Sequence, residues 1–229
     1  MTNLSVVDLA AVIWLFACWV GYTVYSESRA AGDNLLGVMA KHREQWMMRM
    51  LGREHRIVDT QIVNSVINNA TFFASTSILI LAGLLAVLGA PEDVIAVVRD
   101  VPLAVATTRA VWEMKVITLA LIFIYGFFKF GWSMRQFNYC AVLIGAAPLH
   151  PEPPDDHREY AVAAARVASL AAKHFNHGVR SYYFGMAALS WFVNPLFLFP
   201  AAVVIVLVLY RREFHSRTLA ALRACGRDT

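Results

Sequence analysis

Lys129, Arg135 and Arg180 are cations set in or beside long apolar stretches, where a charge is costly and rarely idle. Hydrogen-bonding side chains accompany them. Asn64 and Asn68, with Gln61 and Asn69, form the densest amide group; Gln136, Asn138 and Tyr139 form a second; Asn176 and Tyr183 lie near Arg180. Guanidinium and ammonium groups among amides suit an anionic or carbonyl-bearing guest, because every cation is a donor and few carboxylates stand near to neutralise it. The competing readings are structural. Buried amides also bond across helices, and Lys129 and Arg135 can snorkel to headgroups or pair with Glu27 or Asp59. Covalent chemistry is poorly represented. There is no Ser-His-Asp order, no glycine-rich phosphate loop and no HExxH, so neither an enzyme nor a cofactor is expected. His174 and His177, three apart on one helical face, are a weak metal or haem alternative, since no third ligand is fixed by spacing.

The spacing of these residues implies helices. Gln61, Asn64, Asn68, Thr71 and Ser75 recur at steps of three and four, then give way to an apolar run from Ile78 to Val87. In the next segment the order reverses: Val116 to Phe128 is mostly apolar, and Lys129, Trp132, Gln136 and Tyr139 follow. In the last, Asn176, Arg180 and Tyr183 precede a greasy stretch to Tyr210. Steps of three and four share a helix face. If the three helices alternate in direction, their polar halves meet at one side of a membrane and line a shared vestibule.

Composition agrees with a membrane setting. Apolar residues make up 59% of the chain and charged ones 16%, against about 45–50% and 25% in soluble domains. A crossing takes roughly 20 apolar residues. Four stretches qualify, giving spans of about 5–25, 57–90, 112–145 and 179–210. The fold expected is all-α and polytopic, one integral membrane domain over 1–229, with four transmembrane helices, long cytoplasmic extensions and one amphipathic surface helix. The first apolar run lacks a basic n-region and a small-x-small cleavage site, so it reads as a retained anchor. Three cysteines without paired spacing suggest neither a disulfide frame nor a thiolate metal site.

The segments between spans carry most of the charge. The connector over 26–56 contains a basic amphipathic helix from Asn34 to Leu51, which lies either on the bilayer surface or against the protein's own bundle. The polar connector over 92–108 has room for one short helix. Prolines and aspartates over 150–156 mark a break. After it an alanine stripe, from Ala161 to Ala172, permits close helix packing. No Lys or Arg precedes Asp8, whereas the first connector holds Arg29, Lys41, Arg43, Arg49, Arg53 and Arg56. By the positive-inside rule the connector and vestibule are cytoplasmic, in a bacterial inner membrane, with both termini outside. The tail conflicts, since Arg211, Arg212, Arg217, Arg223 and Arg227 would then be external. Near the outer end of the first helix, Asp8 is expected to form a structural ion pair with Lys115 or Arg109.

The string from Phe127 to Tyr139, FFKFGWSMRQFNY, resembles the signature of a bacterial and plant family of small multi-span membrane proteins, domain of unknown function 599. ASTSIL from Ala74 and HFNHGVRSYYF from His174 are similar to it as well. The resemblance implies a four-span architecture and supplies no activity.

The functional expectation is a membrane protein that binds or conducts a small polar or anionic solute. Lys129, Arg135 and Arg180 provide charge, Asn64, Asn68, Gln136 and Asn138 hydrogen bonds, and Tyr139 and Tyr183 walls. A non-catalytic accessory or scaffold subunit is the alternative. The expected partners are the lipid bilayer, the solute and further copies of the chain; the net charge of +4 points to headgroups and not to nucleic acid.

Overall fold

The computed structural model describes residues 5–29, 34–105, 107–148 and 157–225; the proline-rich break over 150–156 lies outside them. Every regular element among them is helical: α1 (Val6–Ser28), α2 (Leu35–Leu51), α3 (Ile57–Gly89), α4 (Pro91–Arg99), α5 (Arg109–Ala146), α6 (Arg158–Val193), α7 (Pro195–Phe214) and α8 (Arg217–Cys225). Four helices, α1, α3, α5 and α7, are long and apolar enough to cross a membrane. The chain is therefore an all-α integral membrane protein. At 33, 38 and 36 residues, α3, α5 and α6 each exceed one hydrocarbon thickness at 1.5 Å per residue. Each of the three contributes to both of the compact units into which the chain divides.

The first unit comprises the chain through Ser28, Ser75–Phe127 and Gly178–Arg212. Its core is built on Leu15, Trp19, Ile122, Phe184, Trp191 and Leu198. Here α6 runs antiparallel to α1: Arg180 Nη2 donates to Ser26 Oγ (2.7 Å) at one end, and Trp191 Nε1 donates to Asp8 Oδ1 (2.8 Å) at the other. Helix α7 then runs in the direction of α1, with Trp14 Nε1 on the carbonyl of Phe199 (3.3 Å) and the Tyr25 and Tyr210 rings 6.2 Å apart. Close approach of α5 to α6 depends on Gly126, where an added Cβ would lie 2.5 Å from Ser181 Oγ.

These directions correct two expectations. The uncharged stretch over 179–210 is two rods joined at Asn194, not one span. Pro195 has no amide hydrogen to give the carbonyl of Trp191, four residues back. That carbonyl instead accepts from Lys115 Nζ (2.8 Å), and Val105 N donates to the carbonyl of Val193 (3.0 Å). The Asn194 side chain opens α7 by accepting from Leu196 N (2.9 Å). Because α6 and α7 make a hairpin, the end of α7 lies beside the end of α1, opposite the start of α1. The two ends of this bundle therefore separate residue 6 from residue 212, where both termini were expected on one side.

The second unit comprises Arg29–Ala74, Phe128–His177 and the chain from Glu213. Its core joins Met47, Met50, Val63, Phe137, Cys140 and Ile144 to the alanine stripe of α6, with Ala161, Ala164, Ala168 and Ala171 sealed from solvent. Small side chains let α5 approach closely enough for Ser133 Oγ to reach the carbonyl of Ala171 (2.8 Å). Helix α2 is capped by Asn34, which accepts from Gly37 N (2.9 Å), and its apolar face is packed into this core. Of the two readings of the amphipathic helix, the one against the protein's own bundle holds. The basic residues around α2 have specific partners. Arg56 closes the end of α5, donating to the carbonyls of Ile144 (3.1 Å), Ala147 (2.7 Å) and Pro148 (2.6 Å), where the helix dipole also favours a cation. Asp59, fully buried, accepts from Arg53 and from Trp46 Nε1 (2.6 Å). The tail belongs to the same unit: α8 packs on α2, and His42 Nε2 meets the carbonyl of Leu222 at 3.2 Å.

Candidate functional site

The polar residues singled out in the sequence occupy different surroundings. Five of them, Asn64, Asn68, Arg135, Asn138 and Tyr139, are exposed on the second unit, and Lys129 and Gln136 are half-buried. On α5, Arg135 Nε donates to Tyr139 Oη (2.6 Å), and its guanidinium lies 5.9 Å from the ring centres of both Trp132 and Tyr139. That is the arrangement of an aromatic–cation anchor at a membrane boundary. Gln136 Oε1 is buried without a hydrogen-bond partner.

Arg180 and Tyr183 belong to the first unit. Arg180, 2% exposed, is held by Ser26 and stacks over the Tyr22 ring at 5.3 Å. Tyr183 receives a hydrogen bond from Arg212, whose guanidinium stands 5.9 Å from its ring centre. Both residues tie α6 to neighbouring helices. The His174 and His177 rings are 6.2 Å apart, and among the described residues no group of three or more His, Cys, Asp or Glu could hold a metal ion.

A recess of about 280 Å³ does open within the second unit, and none of those nine residues lines it. Its polar lining is Arg43 of α2, Asn69 of α3 and Asn176 of α6; Trp46, Ile62, Val66, Phe137 and Phe175 supply most of the remainder. The helical register explains the displacement. On α3 the recess is faced by Ile62, Val66 and Asn69, a face that mixes apolar and polar residues. The stripe of Asn64 and Asn68 is turned about 150° away and meets the surroundings. A search for continuous polarity therefore found the outside of the helix.

The hydrogen-bonding state of the recess sets it apart. Among the described residues, the side chains of Arg43, Asn69 and Asn176 engage in no hydrogen bond or ion pair, and Arg43 Nη1 is sealed from solvent without a partner. Burial lowers the guanidinium's pKa from the ordinary arginine value, against a smaller opposing influence of Cys140. No acidic residue lines the recess. Trp46 is different: its indole nitrogen is fixed by Asp59, so its ring is a preset wall. An unpaired guanidinium beside two uncommitted amides in an apolar cleft is arranged to accept an oxyanion or carbonyl from outside the chain.

The molecule is thus an all-helical polytopic membrane protein with a cationic recess in one of its units. The chain belongs to a family described as protein of unknown function, DUF599, whose family model matches residues 10–218. That range takes in the three strings of residues that carry the resemblance. No curated protein and no solved structure matches the chain.

Proposed function

We propose that this membrane protein binds or conducts a small polar or anionic solute, without chemical conversion, and that the solute docks at Arg43, Asn69 and Asn176. The observation that carries the reading is the buried, unpartnered Nη1 of Arg43, with half-buried Asn176 and exposed Asn69 uncommitted beside it. Buried polar groups are normally paired, and a charge left alone in an apolar cleft is unfavourable unless something else stabilises it. The residue assignment moves from the polar stripes to the face beside them, while the solute class stays.

The orientation proposed is a start of α1 outside and an end of α1 in the cytoplasm, in a bacterial inner membrane. Support comes from the directions of the helices in the first unit. With α6 running back along α1, its second half makes a further crossing, and the arginines at the end of α7 fall on the side of the basic first connector. The charge conflict in the sequence then disappears. Cys225, exposed on α8, tests this directly. A membrane-impermeant maleimide should label it only after intact cells are opened; labelling of intact cells would reverse the orientation.

Flux into liposomes tests function. Uptake of an anionic solute that Arg43→Leu lowers at least tenfold, with Arg135→Gln near the parent rate, supports the reading. Uptake unaffected by Arg43→Leu defeats the assignment. A second copy of the chain is the proposed partner of the exposed α3 stripe, because Ser75 stands exposed on a helix apolar enough to cross a membrane, where lipid would offer its hydroxyl no hydrogen bond. Crosslinking between Ser75→Cys protomers checks that contact.

A further inference from the structure

We infer that the recess of the second unit selects an amphipathic organic acid: a carboxylate head joined to a small aromatic or branched apolar body. The inference rests on the anion-binding reading above and narrows it to one chemical class.

The lining argues for the head and the body separately. Arg43 contributes the single charged group of the lining, and it is positive. A guanidinium presents its donors in a planar fork that matches a carboxylate with two parallel hydrogen bonds, a geometry an ammonium does not offer. Nearby carboxylates do not compete, because Asp59 is already held by Arg53 and Trp46. Asn69 and Asn176 can each donate and accept, so they suit the second carboxylate oxygen or a polar substituent beside it.

The rest of the lining is apolar, and much of it aromatic: Trp46, Phe137 and Phe175 stand with Ile62 and Val66. A bare inorganic anion would leave these walls wetted. An apolar body would bury them, at about 25 cal/mol for each Å² removed from water. Flat rings favour a flat or branched body, which stacks without ordering a long flexible chain. Size sets the upper limit. At roughly 30 Å³ for each water in the liquid, about 280 Å³ accommodates a guest of about ten non-hydrogen atoms. A two-chain lipid is several times larger and would insert its headgroup alone.

The test uses the purified full-length chain in nanodiscs of zwitterionic lipid, with calorimetric binding of 4-methylbenzoate, 4-methylbenzamide, acetate and inorganic phosphate. The acid should bind at least tenfold more tightly than each of the other three. Arg43→Leu should weaken it at least tenfold, Arg43→Lys should restore part of the loss, and Asn176→Ala should weaken it severalfold. If Arg43→Leu fails to fold, Arg43→Lys and Asn176→Ala carry the same reading. Equal binding of the neutral amide overturns the carboxylate head. Acetate or phosphate binding as tightly as 4-methylbenzoate overturns the apolar body and leaves the broader anion-binding function standing. Loss of 4-methylbenzoate binding in nanodiscs containing an anionic lipid, with none in zwitterionic lipid lost, assigns the site to a headgroup and overturns the inference. Absence of binding by all four compounds overturns both.

Discussion

The two units treat buried charge in opposite ways. In the first, each buried ionic group has an internal answer. Lys115, 2% exposed, donates to the carbonyl freed by Pro195, stands 4.0 Å from Asp8 and lies 5.5 Å from the centre of the Trp191 ring. Asp8 also receives the Trp191 indole, and Arg180 has Ser26 and the Tyr22 ring. In the second unit, Arg56 and Asp59 are answered in the same manner, but Arg43 is not. The difference teaches where to look for a ligand in a membrane protein. Polar residues are not in themselves the signal, since most are answered by the fold. The signal is a polar residue in an otherwise completed core that the fold leaves unanswered.

That contrast can be broken by mutation. The largest effect is expected at Lys115→Met, which frees the Trp191 carbonyl and leaves the Asp8 carboxylate with the Trp191 indole but no counter-charge. Removing one partner of a buried pair costs about 3–5 kcal/mol, so the thermal midpoint in detergent should fall sharply. Adding Asp8→Asn should recover part of the loss; no loss in the single variant would show that the pair is idle. Arg56→Ala should cost about 2 kcal/mol by leaving three carbonyls at the end of α5 unpaired, read as faster hydrogen exchange in the last turn of α5. An unchanged exchange rate there would remove Arg56 from its capping role.

Arg43→Leu should behave differently from both. Replacing an uncompensated charge by an apolar side chain is neutral or stabilising, so the midpoint should hold or rise while ligand binding falls. A loss of stability comparable to that of Lys115→Met would erase the distinction between the units. The smallest effect is expected at Tyr139→Phe, which removes an exposed hydrogen bond to Arg135 worth less than about 1 kcal/mol. Its midpoint should be indistinguishable from that of the parent.

Much of the architecture was legible because it rests on periodicity and composition. The apolar runs became α1, α3 and α5, and the boundaries of α2 and its Asn34 cap follow directly from the residues there. The alanine stripe announced a packed face, and Asp8 with Lys115 was readable as an ion pair at the end of a helix. What escaped was relational. Pro195 in the sequence could bend a helix or end it; only the presence of Lys115 to take the freed carbonyl makes ending it stable. The recess escaped for a similar reason. Arg43, Asn69 and Asn176 come from three separate helices, so no local pattern links them. Arg180 misled in the opposite direction, since its place beside an apolar stretch was visible and its engagement with Ser26 was not.

The one-residue joint at Asn194 also bears on how the protein enters a bilayer. The arm of α6 that ends there begins beside Arg180, is short for a crossing and is a poor candidate to partition into lipid unaided, whereas α7 is oily enough to go in alone. The two arms are bound to enter as a folded pin, with the later-made arm drawing in the earlier one. A ribosome stalled before residue 195 would therefore leave the α6 arm stranded at the membrane surface, its insertion waiting on sequence not yet translated.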